Sequence, residues 1–311
     1  MSNPKKQHYV PQCYLREFRD PASDSDDPSV WIFNKDGTGR RRDKVRNVLA
    51  VNDLYTLKYQ GQKNYVIEKT LSNLEGEYAA VFRRKIRDRK SLSDEEHAIV
   101  CLFVAVMLQR TLRFKSVIDN FMDQITTHVQ AIEKHHGIPG QKSEELNRVK
   151  EDLHKTAILE NAPNLAQVLQ RMNMAFFCTD RSSAKFITSD DPCNLFNSDL
   201  QWTPFSFGGY GLAQRNIQVT LPISPEILLC LSWQNLHGYF QIAASVVQEQ
   251  NRMTRGFAHK YFISHSPHPR RGWFRRYPLS PFFWIRLLFR RTIPRIVYRL
   301  RRKYRDVFKR N

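Results

Sequence analysis

Residues 98–110 read AIVCLFVAVMLQR, and they contain the longest apolar run of the chain. Its apolar side chains would cover every face of a helix, which is typical of a helix at the centre of a core. The helix has a clear start, because Ser93 and Glu96 have the spacing of a capping box. The unbroken apolar run is about half the ~20 residues that a membrane span requires. We therefore predict a core helix and no transmembrane segment.

Helices are predicted on both sides of this core segment. Between residues 65 and 87, apolar residues recur with a period near 3.6, which predicts an amphipathic helix. After a Gly/Pro break at residues 136–140, a charged helix is predicted over residues 143–169. The centre of the chain is therefore predicted to be a helical core.

Strand patterns lie before and after the helices. A short strand at residues 31–33 enters an Asp-Gly turn, and a second is expected around residues 54–58. Further short strands are predicted between residues 174 and 264. An order of strands, helices and more strands favours α+β over regular βαβ alternation. We predict an α+β fold with a small N-terminal β element, a central helical core, a second β-rich part and a basic helical C-terminal tail.

The charge of the chain is concentrated at its C-terminus. Hydrophobic residues make up 41% and charged residues 25% of the 311-residue chain, which predicts a folded body. The net charge is +19, and from Arg270 onward thirteen Arg and two Lys stand against one acid. This segment carries +14 and leaves +5 for the residues before it. We predict a single α+β domain over residues 1–268 and a basic amphipathic tail over residues 269–311.

The tail combines arginines with an apolar stripe. A polybasic face favours phosphate-rich partners through counterion release, and guanidinium forks suit phosphate better than lysine does. We predict nucleic acid as the partner, with an anionic membrane surface as the alternative, because the aromatic residues 282–284 suit bases or a lipid interface. A further alternative is that the stripe packs on the body and the charges are solvated. The predicted nucleic-acid contacts are Arg286, Arg290, Arg291, Arg295, Arg299 and Arg302.

The five cysteines are scattered, with no C-x-x-C pair among them. An odd, widely spaced set is atypical of a disulfide framework and of a structural zinc site. The first residues, MSNPKKQHYVP, lack the apolar segment of a signal peptide. These features predict a cytoplasmic protein without a zinc motif.

Three short motifs occur in the order that they have in a known family. The first is His8-Tyr9-Val10-Pro11-Gln12, followed by Tyr14-Leu15-Arg16 and Phe18. The other two are Gln109-Arg110-Thr111 and Phe186-Ile187-Thr188-Ser189-Asp190-Asp191-Pro192. On these residues the sequence resembles the family called domain of unknown function 4238, over about residues 6–265. One departure is Cys13, where similar sequences usually have an aromatic residue. The resemblance implies no established activity, so function must be argued from side-chain chemistry.

Two residues of the motifs have side chains suited either to catalysis or to structure. The imidazole of His8 can act as a general base, or it can hydrogen-bond the N-terminal segment onto the core. Arg110 follows an apolar run, so it either binds an anion or pairs with an acid of the preceding helix. Glu68 and Glu75 are the candidate partners, because they lie on one helix face.

Asp190 and Asp191 follow a strand, where carboxylates suit a divalent cation or a cap of the next turn. We predict a catalytic site of His8, Glu75, Arg110 and Asp190. Glu75 and Asp190 would hold Mg²⁺ or Mn²⁺, His8 would activate water, and Arg110 would stabilise phosphate charge. These roles describe a nucleic-acid-associated, metal-dependent hydrolase that resembles a nuclease. The alternative is a non-catalytic ligand- or partner-binding protein whose tail docks on nucleic acid or an anionic membrane.

Overall fold

A computed structural model describes residues 6–59, 62–137, 140–179, 184–197 and 211–274. In these residues the fold is α+β, as the sequence predicts. The helices are α1 (Gln12–Leu15), α2 (Val66–Val81), α3 (Asp94–Gln109), α4 (Leu112–His136), α5 (Gln141–Gln170) and α6 (Ala244–Phe257). The strands are β1 (Lys6–His8), β2 (Ser29–Asn34), β3 (Arg40–Lys44), β4 (Ala50–Asn52), β5 (Leu57–Tyr59), β6 (Gln62–Asn64), β7 (Asn173–Cys178), β8 (Thr188–Ser189), β9 (Asn194–Asn197), β10 (Ile217–Ser224), β11 (Ile227–Ser232), β12 (Gly238–Gln241) and β13 (Tyr261–Ser264).

Helix α3 lies in the core, where most of its second half is buried. Its predicted capping box is confirmed. The Ser93 hydroxyl accepts a hydrogen bond from the Glu96 amide, and the Glu96 carboxylate accepts one from the Ser93 amide. Helices α2 and α5 pack against α3. Tyr78 of α2 stacks on Phe103 of α3, with ring centroids 3.6 Å apart.

A break separates α3 from the helix that follows it. Helix α4 begins after Thr111, whose hydroxyl accepts a hydrogen bond from the Phe114 amide and caps the new helix. The chain bends by 54° at this break. In the described parts of the chain, no single helix has the length and apolar composition to cross a membrane, although α3 and α4 meet that criterion as a bent pair. The core position of α3 accounts for its apolar composition.

Two larger sheets complete the described fold. One has the strand order β12-β7-β11-β10-β9, in which β12 runs parallel to β7 and the other pairs are antiparallel. The second has the order β3-β2-β13-β8, with antiparallel pairs throughout. It joins strands from early and late parts of the sequence. The small N-terminal β element is therefore part of a sheet that later strands complete.

The predicted basic tail extends past Phe274, the last described residue. The six arginines predicted to contact nucleic acid therefore lie outside the described residues.

Candidate functional site

The first two sequence motifs meet at Arg110, whose side chain is 2% exposed. Its Nη1 donates a hydrogen bond to Glu75 Oε1 at 2.8 Å, and its Nη2 donates to the backbone carbonyl of His8. The guanidinium lies 5.7 Å from the centre of the Tyr55 ring, and the Tyr55 hydroxyl donates to the Arg110 carbonyl. Burial by itself would lower the pKa of Arg110, but Glu75 and Tyr55 raise it above its ordinary value. Arg110 is therefore permanently charged, and we call the cluster of Arg110, His8, Tyr55, Glu75 and His154 the Arg110 hub.

His8 contributes its backbone, and not its imidazole, to this hub. It ends β1, which pairs antiparallel with β4. The imidazole is buried, and the side-chain amide of Gln12 lies 3.5 Å from its Nδ1. Burial lowers the pKa of His8 to about 4. At neutral pH the ring is therefore uncharged and a weak base, which fits the structural alternative for this residue.

Asp190 is bound by three backbone amides. Its Oδ1 accepts a hydrogen bond from His259 at 2.8 Å, and its Oδ2 accepts from Lys260 at 2.7 Å and from Tyr261 at 3.0 Å. The first two amides lie in the turn between α6 and β13, and the third belongs to the first residue of β13. Burial raises the pKa of Asp190 above its usual range, and the amides offset part of that effect. Asp190 therefore caps a turn that is distant in the sequence, whereas the predicted alternative to metal binding was a cap of the turn that directly follows Asp190.

The neighbouring Asp191 connects the third motif to α4. Arg113 Nη1 lies 3.2 Å from Asp191 Oδ2 and also donates to the carbonyl of Phe257 at 2.9 Å. Lys35 donates to the next carbonyl, that of Ala258, at 2.6 Å. Two cations thus bind carbonyls at the C-terminal end of α6, where the helix dipole favours positive charge.

The first and third motifs also meet at Tyr14, which is fully buried. Its hydroxyl donates to the carbonyl of Pro222 and lies 2.6 Å from the hydroxyl of Thr188. Because the phenol has one proton, Thr188 must be the donor to Tyr14. These bonds connect α1, β8 and β10, so the motifs hold distant parts of the chain together.

The sequence did not indicate two residues of the hub, Tyr55 and His154. The Nε2 of His154 lies 2.9 Å from the carbonyl of Gln109, and its ring centre lies 6.3 Å from that of Tyr55. Burial lowers the pKa of His154 to about 4. A single histidine in a charged helix gives no local signal of this contact, because the contact depends on how α5 packs against α3.

The four predicted catalytic residues therefore belong to two sets of contacts. Glu75, Arg110 and the backbone of His8 form one set, and Asp190 with its three amides forms the other. Among the residues that the structure describes, no group of three or more His, Cys, Asp or Glu side chains could hold a metal ion. Glu75 and Asp190, the predicted ligands of Mg²⁺ or Mn²⁺, bind Arg110 and three backbone amides, respectively.

A comparison with protein families finds a model that matches residues 6–268, described as a protein of unknown function, DUF4238. The chain belongs to this family. No curated protein and no solved structure matches it. In this DUF4238 protein the three short motifs meet at Arg110 and Tyr14, where their polar side chains stabilise the fold.

A different surface of this DUF4238 protein presents cations to solvent. Three consecutive arginines, residues 40–42, are exposed on β3, which is an edge strand of its sheet. The Arg40 guanidinium lies 5.8 Å from the centre of the Trp31 ring, and that of Arg41 lies 5.2 Å from the Tyr261 ring. Within the described ranges, Arg41 forms no ion pair with an acid. Its charge is therefore open to an anionic partner.

Proposed function

We propose that this DUF4238 protein binds nucleic acid, with arginines contacting the phosphate backbone. The observation that carries the proposal is the charge of residues 270–311, where thirteen Arg and two Lys stand against one acid. Acids within the segment cannot neutralise so many cations. Double-stranded DNA carries one negative charge per about 1.7 Å of helix axis, and cations that bind it release condensed counterions. The segment and a nucleic acid are therefore electrostatically complementary.

Two exposed arginines of β3, Arg40 and Arg41, support the proposal with a second cationic surface, whereas the third, Arg42, pairs with Asp20 at 2.9 Å. The Arg41 guanidinium is held over the face of Tyr261 without an acid partner in the described chain. A guanidinium stacked on an aromatic ring keeps its N–H donors at the edge, where they can bind phosphate oxygens. The β3 surface would contribute phosphate contacts of its own.

Hydrolysis is not part of the proposal. The metal-dependent mechanism needs Glu75 and Asp190 to share a cation, whereas they bind Arg110 and backbone amides. His8, the intended general base, is buried with a pKa of about 4. These contacts favour the non-catalytic alternative, in which the family body is a folded binding module.

Equilibrium binding of the full chain to duplex DNA, single-stranded RNA and anionic lipid vesicles tests the proposal. The test variant has glutamine at Arg286, Arg290, Arg291, Arg295, Arg299 and Arg302. Its matched control has lysine at the same positions, which keeps the charge. We expect the wild type and the lysine variant to bind nucleic acid and the glutamine variant to bind much more weakly. Binding to vesicles without binding to nucleic acid would favour the membrane alternative and overturn the proposal.

A nuclease assay with Mg²⁺ or Mn²⁺ separates binding from hydrolysis. We expect no turnover of DNA or RNA by the wild type. Turnover by the wild type that is lost in a correctly folded Asp190→Asn variant would support the hydrolase alternative. Asp190 would then act in the reaction and not as a turn cap.

A further inference from the structure

A cleft of about 470 Å³ lies between the beginning of α3, the end of α5 and the strands β7 and β12. Its volume falls within the range of small-molecule sites, about 300–1,000 Å³. None of the residues that line it belongs to the three motifs. Its chemistry is therefore independent of the Arg110 hub.

The floor of the cleft is apolar and carries a fixed aromatic ring. Met172, Met174 and Phe176 line it and are buried. Tyr239 stacks on Phe176 with ring centroids 4.7 Å apart and planes at 15° to each other. The Tyr239 hydroxyl donates to the backbone carbonyl of Lys90 at 2.9 Å. The partly exposed Tyr239 ring is thus held in place before any ligand binds, which reduces the entropy lost on binding.

The rim of the cleft has more cations than acids. Lys90 and Arg171 stand against Asp94, the one acid among the described residues that line it. Lys90 is already paired with Asp88 at 2.9 Å. Arg171 is exposed and, within the described chain, forms no ion pair. Arg171 is therefore the cation available to a ligand.

Two histidines add hydrogen-bonding groups to the rim. His97 and His237 both line the cleft. Burial lowers the pKa of His97 below its ordinary value, so its ring is uncharged at neutral pH. A neutral imidazole has one donor and one acceptor nitrogen. One nitrogen of each ring already has a partner: Nε2 of His97 lies 3.8 Å from Cys101 Sγ, and Nε2 of His237 lies 3.0 Å from Asn235 Oδ1. A ligand would therefore contact the Nδ1 atoms. The rim can therefore bind polar groups on a ligand as well as one negative charge.

We propose that this cleft binds a small planar molecule with one anionic group, either a carboxylate or a phosphate. The ring of the ligand lies against Tyr239 and near the thioethers of Met172 and Met174, which form favourable contacts with aromatic rings. The anionic group pairs with Arg171. This binding needs neither the tail nor nucleic acid.

Methyl NMR of the full chain, labelled with ¹³C at its methionine methyl groups, tests the proposal. The probes are benzoate, a planar carboxylate; adenosine 5′-monophosphate, a planar phosphate; and inorganic phosphate, which has no ring. We expect at least one planar probe to shift the signals of Met172 and Met174 and inorganic phosphate to leave them unchanged. Met122, a buried residue of α4, is the internal control and should not move. The planar probe that binds identifies the anionic group.

Arg171→Gln tests the charge contact. Its matched control is Arg148→Gln, which removes an exposed arginine from α5, the helix that ends directly before Arg171. We expect Arg171→Gln to weaken binding by about tenfold, the usual effect of removing a charged hydrogen-bond partner, and Arg148→Gln to bind as the wild type does. Equal binding by the wild type and Arg171→Gln would overturn the proposal. So would the absence of shifts at Met172 and Met174 with both planar probes at millimolar concentration.

Discussion

Arg110 and Glu75 form an ion pair of 2.8 Å in which the arginine side chain is 2% exposed and the glutamate 23% exposed. The arginine ends an apolar core helix, a position where an unpaired charge would be strongly destabilising. Glu75 supplies the compensating charge, and the carbonyl of His8 accepts a second hydrogen bond. The pair therefore fixes the N-terminal segment, α2 and α3 against one another.

Glu75→Gln should destabilise the fold, because it leaves the charge of Arg110 without its acid. We expect the free energy of unfolding to fall by about 2–4 kcal/mol, somewhat less than a fully buried pair because Glu75 keeps some contact with solvent. Urea denaturation measures the change. The matched control is Glu77→Gln, at an exposed position of the same helix, where we expect a change below about 0.5 kcal/mol. Similar stability of the two variants would contradict the structural role of the pair.

Asp190→Asn should also lower the stability of the fold. An asparagine has one acceptor oxygen and an NH₂ group, so it cannot accept hydrogen bonds from all three amides that Asp190 binds. We expect the free energy of unfolding to fall by about 1–3 kcal/mol. Asp26→Asn, in an exposed loop, is the control. If Asp190→Asn matched the wild type in stability, Asp190 would not be a turn cap and would become a functional candidate again.

The stability of the protein should fall on acidification because of buried histidines. Burial lowers the pKa values of His8 and His154 from 6.5 to about 4. Between these values the unfolded chain binds protons that the folded chain does not. The stability is therefore complete above the unfolded pKa and is lost as the pH falls towards the folded pKa.

His154→Gln should make this pH dependence shallower by up to about 1.4 kcal/mol per pH unit, the contribution of one titrating group. Denaturation at several values between about pH 7 and about pH 4.5 gives the slope. His128→Gln, which removes an exposed histidine, should keep the wild-type slope. A wild-type slope in His154→Gln would show that His154 binds no extra proton on unfolding.

Arg41→Gln should weaken nucleic-acid binding modestly if β3 contacts phosphate. We expect the slope of log K against log salt concentration to decrease in magnitude by about 0.9 for duplex DNA, the value of one phosphate contact. Lys69→Gln removes an exposed cation from α2 and should leave the slope unchanged. The same slope in Arg41→Gln and the wild type would exclude Arg41 from the interface.

Among the described residues, local sequence patterns predict α2, α3 and α5 well. The Ser93 and Glu96 pair begins α3, and the 3.6-residue period over residues 65–87 corresponds to α2 and the π-helical turn Phe82–Ile86. The break at Thr111 was not predicted. Thr111 has the chemistry of an N-cap, but the apolar run before it gives no sign that the chain bends there.

Long-range contacts could not be predicted in the same way. Ile32 of β2 pairs with Ile263 of β13, and strand propensity carries no information about the partner of a strand. Helical spacing leaves two candidate acids for Arg110, Glu68 and Glu75. Only the packing of α2 against α3 determines that Glu75 forms the ion pair. The backbone partners of Asp190 likewise depend on where β13 lies beside β8.

In the proposed function, arginines between residues 286 and 302 bind the phosphates of nucleic acid. Its most direct test is the salt dependence of duplex DNA binding by the full chain and by the variant with glutamine at Arg286, Arg290, Arg291, Arg295, Arg299 and Arg302. Each phosphate contact contributes about 0.9 to the magnitude of the slope of log K against log salt concentration. We therefore expect a steep slope for the wild type, and a decrease of up to about 5 in its magnitude for the variant, which lacks six arginines. Equal slopes for the two proteins would contradict the claim.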